Sequence, residues 1–297
     1  MEKQYLSCPI CGSDDHSLRF KAWVDVSDPK LLYGAASGIA GTQDIVECAD
    51  CSLLFENPRY HESVILQGYM ESDEEGHDSQ YPMRVNSFLK ALQRNKDFIP
   101  APGGKVLDIG TAGGAFLDAA TAYGYDAWGM EPSFYLVEQG KKRGLQIEQG
   151  TIEDNQFEEN SFDMICLWDV IEHLTDPKGS LQIIRDLLKP DGVLLINYPD
   201  IDTWQARLFG KRFWWIISVH LTHFSPKTIA EICHLTGYEV VRFKPYFQTL
   251  EFGYLADMAV HLKVPFAKLG RSLLPGFIKR IPIPYYASQT TSIARLK

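Results

Sequence analysis

A chain of 297 residues is long enough for one large domain and a small appendage, and its 45% hydrophobic content can fill a substantial core. The formal charge of −9 argues against gripping a phosphate backbone over a broad surface, a task that needs clustered Lys and Arg, so nucleic acid is a disfavoured partner. The N-terminus has no basic start followed by an apolar run and a cleavage site, and no apolar stretch is long enough to span a bilayer, which makes a cytoplasmic location the default expectation.

Residues 1–60 lack a long helical pattern and carry two C-x2-C pairs, Cys8/Cys11 and Cys48/Cys51, with 36 residues between them. In a reducing compartment this spacing favours metal over disulfides, and four sulfurs in a tetrahedron suit Zn2+. Gly12 lets the backbone turn under the metal. Four thiolates leave no open coordination position, so the expected role is structural or in recognition, not Lewis-acid catalysis. The other two cysteines, Cys166 and Cys233, sit in apolar segments.

Residues 61–100 read as a helical linker. The acidic run 71–79 suits a solvated loop, and Val85, Phe88, Leu89, Leu92 and Phe98 form a stripe that predicts a helix covering the next domain. From Lys105 apolar runs at 105–109, 126–130, 144–149, 163–168 and 193–198 alternate with helical stretches at 115–123, 133–143 and 177–189. Pro190, Asp191 and Gly192 mark a stop and turn. Alternating strands and helices predict an α/β domain over 101–297, with a mostly parallel sheet covered on both faces. An aromatic-rich segment at 203–225 precedes a helix starting near Pro226, a strand at 238–246 and a last strand at 290–297. The insertion 250–286 contains Pro265, Pro275, Pro282 and Pro284 and cannot be one straight helix. It mixes apolar residues with Lys263, Lys268, Arg271, Lys279 and Arg280, a combination suited to peripheral membrane contact, a dimer contact or a lid.

The segment 106–117, VLDIGTAGGAFL, joins a strand, an acid at its end, a glycine-rich turn and a helix, the arrangement in which a ligand approaches the backbone closely. Glu131 follows Asp108 by 23 residues, at the end of the second strand, where a carboxylate can accept both hydroxyls of a ribose. The turn alone would also fit a nicotinamide dinucleotide.

Together with GMEPS (129–133), GTIED (150–154), SFDMICLWDVIEHLTDP (161–177), LLKPDGVLLINYPD (187–200) and HLTHFSPKTIAEICHLTGYEV (220–240), this segment resembles the class I S-adenosylmethionine-dependent methyltransferases. Within them it is similar to the ubiquinone-biosynthesis O-methyltransferase-like and the sugar or small-molecule groups, over about residues 80–245. The resemblance implies a Rossmann-like seven-stranded sheet of order 3-2-1-4-5-7-6 with helices on both faces and an antiparallel last strand. It also implies that Asp108 and Gly110 lie beside the methionine part of S-adenosyl-L-methionine and that Glu131 binds the ribose. Pro132 and Ile152 would flank the adenine, with Glu153 near its edge and Trp168 and Asp169 lining the sulfonium region. The usual G-x-G-x-G turn appears as Gly110, Thr111, Ala112, Gly113, Gly114, and the Ala112 methyl restricts the backbone there.

Methyl transfer to a hydroxyl needs a base, and a neutral imidazole suits that task. His173 follows the fourth strand, and His223, with His220, follows the fifth, so either His173 or His223 can serve. Asp169, Glu172 and His173 also resemble the acidic-plus-His motif that binds a divalent metal in some quinone O-methyltransferases, although Glu172 and His173 can equally be structural. Trp204, Phe213, Trp214 and Trp215 suit an acceptor pocket or simply core. The expectation is methyl transfer to oxygen or carbon of a small molecule: a sugar nucleotide, a glycan or lipid-linked intermediate, or a quinone-like ring. Its rivals are an RNA methyltransferase with the zinc module as clamp and a non-catalytic cofactor-binding scaffold.

Overall fold

In a computed structural model, which describes residues 3–24, 32–33, 42–70, 80–261 and 266–297, the apolar runs form a seven-stranded sheet. The acidic run 71–79 and, between the cysteine pairs, residues 25–31 and 34–41 lie outside the described residues. The chain begins with β1 (Lys3–Gln4), β2 (His16–Phe20), β3 (Ile45–Cys48), β4 (Leu54–Glu56) and β5 (Arg59–Tyr60), then α1 (Glu62–Met70) and α2 (Tyr81–Asn95). Next come β6 (Lys105–Ile109), α3 (Ala115–Tyr123), β7 (Asp126–Glu131), α4 (Phe134–Lys142), β8 (Gln146–Gln149) and β9 (Phe162–Trp168). They are followed by α5 (Pro177–Leu187), β10 (Leu188–Pro199), α6 (Trp204–Phe209), β11 (Thr222–His223), α7 (Pro226–Leu235) and β12 (Tyr238–Glu251). Three short helices, α8 (Phe252–His261), α9 (Ala267–Leu273) and α10 (Gly276–Lys279), lead to β13 (Pro282–Leu296).

The large sheet runs β8-β7-β6-β9-β10-β13-β12, which is the expected order with the last strand antiparallel to both neighbours. Its central strands β6 and β9 are buried along almost their whole length, as a sheet covered on both faces requires. Residues 189–192 form a bulge inside β10, between the pairings Leu188↔Phe162 and Val193↔Met164, where the sequence predicts a turn before the strand. Side-chain caps set the helix starts: Ser133 accepts from the Leu136 N–H, Asp176 from the Gly179 N–H, and Ser225 and Thr228 form a capping box. The apolar stripe expected on α2 is displaced. The helix buries Ser87, Ala91, Leu92 and Asn95, while Val85 and Leu89 stay half-exposed. The two buried polar residues each donate to their own helix, Ser87 to the Met83 carbonyl and Asn95 to that of Ala91, and Ser87 Oγ also accepts the Thr249 N–H of β12.

The cysteine-bearing segment is not a free appendage. Its sheet has the order β11-β4-β3-β2, so its edge strand comes from the aromatic-rich segment after β10. Phe55, Leu53 and Ile10 belong to the same apolar cluster as Leu107 and Ile165 of the large sheet. At this junction Glu56 is fully buried and accepts the Tyr33 hydroxyl at 2.9 Å, while Arg59 beside it donates to the Thr175 carbonyl at 3.0 Å.

Burial pushes the Glu56 carboxyl up to about 7, against the opposing pull of the Tyr33 hydrogen bond and the Arg59 charge. An acid raised on folding favours the folded state fully below its unfolded value of 4.5, and that contribution is lost as pH rises toward about 7. Glu56→Gln therefore becomes more stable relative to the wild type across that window, by on the order of 3 kcal/mol in total. Urea unfolding of both proteins from pH 4 to 8 checks this, and parallel curves would refute it.

Candidate cofactor and acceptor site

The turn after β6 is held from below by Glu131, at the end of β7. Glu131 is fully buried, and its oxygens accept the Ala112 and Ser133 N–H groups, both at 2.9 Å. Asp108 is buried at the end of β6, and burial, reinforced by the nearby Glu131 charge, pushes its carboxyl well above the usual range. Its buried Oδ1 has no hydrogen-bond partner among the described residues. Gly110 has φ +67°, and a Cβ there would stand 2.6 Å from Val170 Cγ2. Gly114 starts α3 at φ +87°, and its missing Cβ makes room for Leu145, so its service is to pack helix against sheet. Ala112 itself adopts φ +50°.

The adenine-side residues lie at the ends of β7 and β8. Pro132 is half-buried beside Glu131, and Ile152 is buried in a 3-10 turn. Glu153 is exposed and accepts from the Ser180 hydroxyl at 2.7 Å. Trp168, at the end of β9, packs its ring against Phe88, Phe116 and Tyr246. Asp169 takes φ +57°, and its Oδ1 accepts from Asn197 Nδ2 and Gln289 Nε2, each at 2.7 Å. Burial, opposed by these two bonds, brings its carboxyl up to about 6.

On the acceptor side, Ile171–His173 forms a 3-10 turn that meets the segment around His220. His173 Nδ1 lies 3.0 Å from the Val219 carbonyl and His220 Nδ1 lies 2.9 Å from that of Trp215. A carbonyl can only accept, so Nδ1 carries the proton in both rings and Nε2 presents its lone pair. Burial lowers the His173 imidazole to about 4 and pushes that of His220 well below its usual value. Among the described residues neither oxygen of buried Glu172 meets a hydrogen-bond partner within normal geometry, and Oε1 stands 4.0 Å from His220 Nε2. Glu172, His173 and His220 can each offer a ligand atom, all within 4.8 Å of one another. Asp169, which the sequence grouped with Glu172 and His173, turns instead to Asn197 and Gln289, and His220 takes the third place. His223, in β11, is buried with Nε2 unpartnered, and burial lowers it to about 4.

Of the aromatics after β10, Phe213 is core. Trp214 and Trp215 both donate Nε1–H to the Ala287 carbonyl, and Trp204 is exposed. Sequence reasoning missed Asn197 and Gln289. The available signal was the run Ser288–Ser292, five consecutive polar residues in a strand that buries all of them. Tyr69 of α1, which meets the His173 ring edge to face at 6.3 Å, carried none.

In the N-terminal sheet, Cys8, Cys11, Cys48 and Cys51 bring their sulfurs within 4.8 Å of one another, with Cys8···Cys51 and Cys11···Cys48 at 3.5 Å. The two knuckles match. Gly12 N–H donates to the Cys8 carbonyl and Ser52 N–H to that of Cys48, with Gly12 at φ +76° and Ser52 at φ +69°. Burial pushes the Cys8 thiol up to about 11 and raises Cys51 as well. At Cys48 the burial effect is outweighed by the N–H groups of Cys51 and Asp50, and its thiol falls below its usual value.

This sheet with its glycine turn and buried acid pair is the Rossmann-like methyltransferase architecture. The family model for a methyltransferase domain matches residues 79–242, more than half of the chain, and the chain belongs to that family. The ubiquinone biosynthesis O-methyltransferase of Actinobacillus pleuropneumoniae serotype 5b (strain L20) is 36% identical over 108 residues, covering 32% of this chain and 45% of that protein. The protein of the same name from Histophilus somni (strain 2336) is 29% identical over 147 residues, 44% of this chain and 62% of its own length. The chain thus spans about half the length of the curated relatives it matches. Among solved structures, a chain from the complex of the Haloferax volcanii Trm112 methyltransferase activator with a methyltransferase superposes at TM-score 0.52 and 18% identity, covering 74% of this chain and 94% of that one. The PH0226 protein from Pyrococcus horikoshii OT3 does so at TM-score 0.50 and 14% identity, covering 74% and 93%. At these identities the structural likeness shows the fold.

The turn yields a contrast between neighbouring positions. Gly110→Ala forces a methyl into Val170 at a left-handed backbone, and a loss of about 1–3 kcal/mol follows. Ala112→Gly relieves a left-handed alanine, a gain of about 1–2 kcal/mol partly offset by the unfolded-state entropy of glycine. Thermal melts should therefore move in opposite directions, and a shift of the same sign in both would refute this reading of the turn.

Proposed function

We propose that the chain is an S-adenosylmethionine-dependent methyltransferase acting on oxygen or carbon of a small-molecule acceptor, with Zn2+ held by Cys8, Cys11, Cys48 and Cys51. The observation that carries this reading is the placement of three buried carboxyls at one sheet edge, Asp108 and Glu131 at the glycine turn and Glu172 beside His173 and His220. S-adenosylmethionine, when bound, supplies a methyl group on a sulfonium. Glu131 accepts a backbone N–H at each oxygen, and its place at the end of β7 beside the glycine turn is where a carboxylate would meet the ribose. Asp108 offers its unpartnered Oδ1 to a donor on the methionine part. The cysteine sulfurs fit a tetrahedral ion, since a Zn–S bond of about 2.3 Å sets sulfurs roughly 3.8 Å apart.

A ring hydroxyl, as on a quinone precursor, is the acceptor this site suits best. The name carried by the curated relatives supports that class. His173 and His223 are the candidate bases, and each is uncharged at neutral pH with an available Nε2. A second reading rests on the convergence of Glu172, His173 and His220. Two imidazoles with Nδ1–H tied to carbonyls and one unpartnered carboxylate form a donor set for a divalent cation, which would polarise the acceptor oxygen. The acidic character of the chain weighs against RNA as acceptor.

Calorimetric titration with S-adenosylhomocysteine is the first test. The wild type should bind saturably and Glu131→Ala about 10–100-fold more weakly, the effect of losing hydrogen bonds to a charged group. No binding by a folded wild type would overturn the cofactor reading. His220→Ala separates the two acceptor-side readings. If it abolishes divalent-cation binding and activity while cofactor affinity is kept, the cation site stands; if activity persists, His173 or His223 acts as base without it.

A further inference from the structure

We infer that the tip formed by α9 and α10 docks on an anionic lipid surface. β12 and β13 pair from Tyr238↔Leu296 to Glu251↔Pro282, so the excursion between them closes the end of a long antiparallel ribbon. Its helices are tied together: Arg271 pairs with Asp257 through Nε and Nη2, and Gly253 lies against the Lys279 backbone, where a Cβ would meet the carbonyl oxygen at 3.1 Å. Neither α9 nor α10 buries any residue. Instead Phe266, Leu269, Leu273 and Phe277 stand 84%, 59%, 72% and 74% exposed.

Charge identifies the partner. Between Phe266 and Ile281 the sequence has Lys268, Arg271, Lys279 and Arg280 and no acidic residue, in a chain whose net charge is −9. A local positive surface on an acidic protein needs a negative partner. A second copy meeting this tip through the same patch would set cations against cations, which disfavours a two-fold contact. Cations are interleaved among the exposed apolar side chains, with Arg271 already paired to Asp257 and Lys268, Lys279 and Arg280 carrying the local charge. A lipid interface accepts that pattern without shape complementarity, taking the apolar groups into the acyl boundary and the cations onto headgroups. Among the described residues no helix is long and apolar enough to cross a membrane, so the contact is peripheral.

The position of the tip gives the contact a use. β13 pairs with β10 only as far as Gln289↔Pro199, and residues 282–288 run on beyond the carboxyl end of β10. The tip therefore stands off the sheet edge that carries Glu131, Asp169 and Glu172, and a bilayer docked there faces the acceptor side.

Sedimentation of the full chain with vesicles tests the inference, comparing phosphatidylglycerol/phosphatidylcholine mixtures with phosphatidylcholine alone at low and high salt. The wild type should partition onto the anionic vesicles at low salt and leave them at high salt. Lys268→Ala and Arg280→Ala should each weaken partitioning about fivefold, and Leu273→Ser and Phe277→Ser each about tenfold or more. All four positions are on the outer face of the tip, so melting temperatures should be unchanged. Failure of the wild type to bind anionic vesicles, or equal binding by the variants, overturns the proposal. So does a solution dimer that Phe277→Ser splits while vesicles bind nothing.

Discussion

Three distant stretches of chain meet through backbone hydrogen bonds around Leu221. Its carbonyl accepts the Glu56 N–H and its own N–H donates to the Glu172 carbonyl, both at 2.8 Å, while Thr222 and His223 pair with Phe55 and Leu54. These groups are buried, and a buried backbone group left unpaired costs about 1–3 kcal/mol, so the segment is held from both sides. The cysteine sheet thereby fixes where His220 and His223 stand, and the Ile171–His173 turn is fixed by the same residue. A module that served as a detached clamp would not need this pairing. Here the four-cysteine segment is built into the same backbone network as the Glu172–His220 cluster.

The two buried glutamates of the site make an instructive contrast. Glu131 receives a backbone N–H at each oxygen, and charge-assisted bonds of this kind favour the anion. Glu172 has no such pair of bonds among the described residues, and burial pushes its carboxyl well above the usual range, with the Asp169 charge adding to the effect and its own backbone N–H opposing it. The first is tied into the backbone of the glycine turn. The second is a carboxyl whose ionised form, among the described residues, finds no side-chain donor to offset its burial.

Much of this was legible in the sequence because hydrophobic period and turn chemistry are local. α3 lies at the residues the apolar pattern marked, and the sheet order follows from the family resemblance carried by the motifs from 107 to 240. What failed to show was long-range. β11 is two residues long and has no period, so nothing in Thr222 and His223 announces a partner at Leu54 and Phe55. On α2, Leu92 and Phe88 pack on the core as the pattern marked, but the face also takes in Ser87 and Asn95, whose donors bond to carbonyls one turn earlier, a local bond that hydrophobic period does not register. Asp169 was grouped with Glu172 by sequence proximity, yet its left-handed backbone turns it toward Asn197 and Gln289, which are supplied by two other strands.

The alanine in the glycine turn shows how the two levels connect. A left-handed alanine costs roughly 1–2 kcal/mol, and on sequence grounds Ala112 is the departure that most strains the turn. In the fold its N–H donates to the Glu131 carboxylate at 2.9 Å. A hydrogen bond to a charged group is worth about 1.5–3 kcal/mol, enough to offset the strain. The departure from the glycine pattern is thus tolerated because the acid at the end of β7 holds the turn. Glu131 thus holds the turn through the backbone, so its shape does not depend on a ligand.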